Sequence, residues 1–86
     1  MKEKPNIKNM FLALNKKHFE GRIKEIPILW NNRMRTTAGR CTYTRKRIGS
    51  IVNYMPIKIE LSEKLFENNN YDLEKVERTL IHEMVH

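Results

Sequence analysis

Apolar residues recur along this chain in three distinct rhythms. Ile7, Met10, Phe11 and Leu14 fall at i, i+3, i+4 and i+7, the spacing of one face of an α-helix. Pro5 suits the first turn of that helix and Gly21 its stop. Ile26, Ile28 and Trp30 then alternate with Pro27 and Leu29, which predicts a strand, and the proline places it at a sheet edge. Thr36–Thr44 (TTAGRCTYT) is rich in β-branched and aromatic residues, and Ile51–Leu61 (IVNYMPIKIEL) ends with Ile57, Ile59 and Leu61 on one face. Between them, residues 45–50 read as a hairpin loop containing Gly49. Ser62 can cap a short helix running through Asn68, and Asp72 can cap a final helix. In that last helix Leu73, Val76, Leu80 and Met84 form a stripe for packing on the sheet.

Helices and strands are segregated along the chain, which predicts an α+β class rather than a βαβ repeat. The expected order is an N-terminal helix, a small three-stranded, mostly antiparallel sheet, a short helix and a last long helix. With 86 residues the chain makes a single domain, residues 1–86. At this size about 60% of the unfolded chain's surface is buried, so stability is marginal.

Composition narrows the class further. Hydrophobic residues are 40% and charged ones 31%, as in globular chains. No apolar run approaches the ~20 residues of a membrane span. The basic N-terminus lacks the apolar core of a signal peptide. A single cysteine, Cys41, precludes an intramolecular disulfide. Together these features predict an intracellular protein of cytoplasm or nucleus, with no membrane association and no small-molecule cofactor.

The net charge of +7 is unevenly placed. Residues 26–59 hold seven basic and no acidic side chains, whereas residues 60–86 carry a net −4. The densest cations are Arg33, Arg35, Arg40, Arg45, Lys46 and Arg47, a block able to track a phosphate backbone or simply to solvate a hairpin.

The chain ends on His82-Glu83-Met84-Val85-His86, an H-E-x-x-H pattern. Histidines four apart lie one turn above another on a helix, so both imidazoles can reach one metal ion. Glu83 falls between the histidine face and the apolar stripe, where a carboxylate can act as a base without being a ligand. Zinc acidifies water, and an adjacent carboxylate can take the proton as a peptide carbonyl is attacked. Lys75, Arg78 and Thr79 share the histidine face, so the histidines could simply continue a polar surface, but Leu80-Ile81 and Met84-Val85 add apolar residues on both sides of the motif and imply a largely buried helix with its histidines facing a cleft. His18, in the apolar stripe of the first helix, is expected in the core or at its rim rather than as a ligand. Cys41 is expected as a buried apolar side chain.

Four stretches in this order, LNKKHFEGRI, TTAGRCTY, IKIELSEKLF and TLIHEMVH, resemble the SprT-like metalloprotease family from about Phe11 to His86. That resemblance implies a zinc endopeptidase acting on DNA-crosslinked proteins, with DNA and protein substrates as partners. By it His82 and His86 are metal ligands and Glu83 is the general base. The family's third ligand is a histidine well downstream of the motif, and its accessory C-terminal elements are likewise without counterpart here. His18 stands at a position usually aromatic in the family and does not substitute. The 86 residues are therefore expected to be the N-terminal part of such a domain, to bind zinc weakly, to lack proteolysis on their own and to self-associate. A non-catalytic nucleic-acid-binding remnant and the start of another zincin stay open as alternatives.

Overall fold

The computed structural model describes residues 3–85. The chain forms α1 (Ile7–Phe19), β1 (Ile28–Asn31), β2 (Gly39–Ile48), β3 (Ile51–Ser62), α2 (Glu63–Asn68) and α3 (Leu73–Met84). This is the expected α+β order. The sheet is mixed, with strand order β1-β3-β2. β2 and β3 pair antiparallel along nearly their whole length, and β1 lies parallel to β3, from Ile28↔Ile59 to Asn31↔Ser62. Helices α1 and α3 pack on β1 and β2 respectively and touch each other.

Each helix begins where a side chain takes over an orphan backbone N–H. Asn6 caps α1 by accepting from the Asn9 N–H, which leaves Pro5 just outside the helix rather than in its first turn. At the other end Glu20 and Gly21 turn left-handed, with φ of 55° and 73°, and the Gly21 N–H closes on the Asn15 carbonyl. Asp72 caps α3 through the Glu74 and Lys75 N–H groups. Ser62 does two jobs. Its hydroxyl accepts from the Leu65 N–H and donates to the Met34 carbonyl at 2.7 Å, so the cap of α2 also holds the loop between β1 and β2.

The core joins Ile7, Phe11 and Leu14 of α1, Ile28, Ile59 and Leu61 of the sheet, Phe66, and Val76, Leu80 and Met84 of α3. Three expectations fail here for physical reasons. Leu73 is exposed rather than part of the stripe, because it is the first residue of α3 and stands beyond the sheet. Tyr71 fills the space instead, stacking edge-on against Trp30 at 5.5 Å between ring centroids, in a left-handed conformation (φ 51°). Ile57 is exposed although it alternates with Ile59 and Leu61. The pairing jumps from Thr42↔Lys58 to Tyr43↔Pro56, so Ile57 is the extra residue of a bulge beside a proline that cannot donate to the ladder. His18 is exposed, not in the core or rim. The inward position falls to Asn15, whose amide grips both the N–H and the carbonyl of Ile23.

The hairpin turn is tighter than the residue 45–50 loop. The strands run on to Ile48 and from Ile51, leaving only Gly49 and Ser50 between them, with Gly49 at φ 61°. A two-residue connection with glycine first suits the twist of paired strands. The result is a long ribbon whose outer half, from Tyr43 to Ile57, lies beyond the two-layer core.

The Ser62 hydroxyl is the structural joint most open to test. Ser62→Ala removes one helix cap and leaves the buried Met34 carbonyl without its partner. A loss of about 1–2 kcal/mol is expected in denaturant unfolding with an unchanged slope.

Candidate metal centre

Helix α3 positions the motif through its opposite face. Val76, Leu80 and Met84 are buried against the sheet and α1. With that stripe fixed, the rotation of the helix leaves His82 exposed and turns Glu83 inward, where it is only 8% exposed. A charged side chain is rarely so covered, and here it lies against Gly39 of β2. A Cβ placed on Gly39 would lie 2.8 Å from Thr79 Cγ2 and 3.2 Å from both Cγ and Oε2 of Glu83. The missing side chain is therefore what allows Thr79 and Glu83 to rest directly on the strand.

His82 and Glu83 open onto a cleft of about 400 Å³, closed by Arg78 and Thr79 on α3 and by Thr37, Ala38 and Gly39 leading into β2. Clefts of greater volume lie elsewhere, by the arginines of the β1–β2 loop, so chemistry rather than size marks this one. Cys41 and Tyr43 follow Gly39 on the same face of β2. Cys41 is half-buried and packs against the core, close to its expected role. The Tyr43 phenol is pushed up to about 12, first by loss of solvation, then by its hydrogen bond with Cys41 and by the electrostatic effect of Cys41 and Glu83. Like any tyrosine it is protonated at neutral pH and can donate a hydrogen bond.

The donor set is incomplete within the structure. Among the described residues no group of three or more His, Cys, Asp and Glu side chains converges as a metal site would require. His82 offers one imidazole at the cleft, and His86, the second expected ligand, lies outside the described residues. Among the described residues the cleft therefore brings together one imidazole, that of His82, and one carboxylate, that of Glu83.

The basic block divides in space. Arg33 and Arg35 are exposed on the β1–β2 loop, while Arg45, Lys46 and Arg47 are exposed on the ribbon. Register puts Arg45 opposite Tyr54 and Arg47 opposite Val52 on one ribbon face, with Lys46 on the other. Arg40 differs. Its guanidinium binds the buried Glu60 carboxylate at 2.9 Å, with Asn31 donating to the other oxygen at 2.7 Å. Lys58 stands 3.7 Å from the same carboxylate. The acid-free stretch of sequence thus ends on the one acid that engages Arg40. No signal in composition marks Glu60 as a buried partner; only the strand pairing Arg40↔Glu60 does.

Comparison with known proteins identifies the family. The pattern of the SprT-like family matches residues 7–86. The chain belongs to the SprT-like family. It is also 33% identical over 82 residues to the DNA-dependent metalloprotease SPRTN of Danio rerio. That match covers 95% of this chain and 12% of the relative, so the chain spans a small part of that protein's length. No solved structure matches. Within this SprT-like chain no helix of the described residues is long and apolar enough to cross a membrane.

Glu60 gives an acid-stability test. The Arg40 hydrogen bond, aided by Asn31 and opposed by burial, holds its carboxyl below the ordinary 4.5. A carboxyl lowered in the folded state contributes stability that is complete above its unfolded value. That contribution is lost as pH falls from about 4.5 towards the lowered value. Arg40→Met is expected to be less stable than wild type at pH 7 and to show a shallower loss between pH 5 and 3 in denaturant titrations.

Proposed function

We propose that this chain is the catalytic-helix portion of a zinc-dependent endopeptidase. The observation that carries the reading is the pairing of an exposed His82 with a buried Glu83 at one cleft, the second held against β2 by Gly39. His82 and His86 would hold the metal, with a third donor outside these residues. Zinc, when bound, supplies Lewis acidity that polarises a peptide carbonyl and brings the pKa of water near neutrality.

The chain's own residues do the remaining work. Glu83 sits where it takes a proton from attacking water and returns it to the departing amine, which needs a carboxylate close by but off the metal. β2 is an edge strand, so its outer backbone groups can pair with an extended peptide laid past Thr37, Ala38 and Gly39. Tyr43, kept protonated, is a donor on the same strand face. With His82 and His86 as its only motif ligands, the 86-residue chain alone binds zinc weakly and has no turnover.

The substrates we propose are DNA-associated proteins, including DNA-crosslinked ones, and the setting is intracellular. Support comes from the DNA-dependent relative and from five cations outside the Glu60 network. Arg45, Lys46 and Arg47 project on the ribbon, and Arg33 and Arg35 add to the field from the loop. A polyanion is attracted to such a surface without reading sequence. Arg40 contributes less, since Glu60 neutralises it.

In the natural full-length protein Glu83→Gln is expected to abolish peptide cleavage while zinc content measured by atomic absorption stays near one per chain. Cleavage near the wild-type rate in that variant contradicts the base assignment. For DNA, replacing Arg45, Lys46 and Arg47 by alanine should weaken binding in fluorescence anisotropy. The slope of log affinity against log salt should become shallower by about 0.9 for each phosphate that is no longer neutralised. An unchanged slope rules out the ribbon as the DNA-binding surface.

A further inference from the structure

We infer that Gly39 is a positioning residue for the reaction: its lack of a side chain sets where the Glu83 carboxylate stands. This rests on the reading of Glu83 as the base and deepens it. Three observations support it. Gly39 is an ordinary strand residue, paired with Leu61 and without the positive φ that makes glycine obligatory at Gly21 and Gly49. Its identity is therefore not a demand of its own backbone. At the start of a strand any residue can stand, and a glycine there can mark a close approach by another group. The approaching groups here are two side chains on successive turns of α3, Thr79 and Glu83.

The two neighbours would respond differently to a side chain at this position. A Cβ at 2.8 Å from Thr79 Cγ2 would meet a short β-branched side chain with little freedom, so the helix or the threonine must move. That approach governs how closely α3 seats on β2, and hence stability. The Cβ at 3.2 Å from Glu83 Cγ and Oε2 would press on the carboxylate itself. Glu83 would be displaced outward within its side chain, whereas His82, exposed on the cleft wall, would shift only with any movement of the helix. Geometry near a reacting centre is worth more than its packing energy: a displacement of about 1 Å can cost ~100-fold in rate, so the few tenths of an ångström that a 3.2 Å contact demands are worth about three- to tenfold. Gly39 thus separates the base from the ligand: one is fixed against the strand and the other is left to the cleft.

The test uses the full-length protein and four variants, with kcat and KM on a peptide substrate expressed per folded, zinc-loaded molecule. Zinc content and thermal unfolding are measured alongside. G39A is expected to fall about 3–10-fold in kcat with KM within about twofold and zinc retained. G39A/T79S, compared with T79S, removes the methyl that meets the new Cβ but leaves the pressure on Glu83. It should regain most of the thermal stability that G39A forfeits while kcat stays at least about threefold down. Two results overturn the inference. One is a G39A kcat within about twofold of wild type. The other is recovery of kcat together with stability in the double variant, which would make Gly39 a packing residue only. E83Q separates this from the parent reading. An active E83Q removes the base role altogether, whereas an inactive E83Q beside a normal G39A removes only the part assigned to Gly39.

Discussion

Everything in this molecule that bears on chemistry depends on how closely α3 is laid on β2. The helix has one apolar stripe, and burying Val76, Leu80 and Met84 fixes its rotation. Rotation alone would place Glu83 near the strand. The absent side chain at Gly39 lets it come within van der Waals reach of the backbone. Two neighbouring residues of one motif thereby acquire opposite environments: His82 is exposed to the cleft and Glu83 is covered. A base beside a metal needs that division, since it must be fixed but must not ligate.

The sheet supports this arrangement from the far side. β3 is central, and its final residues alternate between the core and a polar outer face. Ile59 and Leu61 face the helices, while Glu60 anchors Arg40 and Asn31, and Ser62 anchors the loop carrying Met34. These polar links tie both edge strands to the centre. β2 is thus held firmly just where Gly39 meets α3, although its outer half runs on as an unsupported ribbon. One strand serves as a rigid floor at one end and as an exposed cationic arm at the other.

Much of this was legible from residue patterns because it follows from local rules. Ser62 and Asp72 are caps with the right chemistry in front of apolar periodicity, and both helices start there. The motif's histidine spacing needs only helical geometry. Parallel pairing of β1 with β3 was not legible, since pairing partners are a long-range property. Nor was the bulge at Ile57, although Pro56 is its local cause. Leu73 shows the limit of periodicity, which assigns a face but not whether a sheet extends beneath it. Arg40 shows the limit of counting charge, because Glu60 is distant in sequence and adjacent across the ladder. Asn15, Tyr71 and Gly39 carry no signal of their own; each matters through what packs against it.

The central claim is that His82 faces a metal while Glu83 stands beside it without binding it. X-ray absorption at the zinc edge of the full-length protein, compared among wild type, H82A and E83Q, tests that claim directly. The account predicts imidazole nitrogens at about 2.0–2.1 Å in wild type. It predicts loss of one of them, or of the zinc, in H82A, and an unchanged first coordination shell in E83Q. A shell that loses an oxygen ligand in E83Q, or one indifferent to H82A, would contradict it.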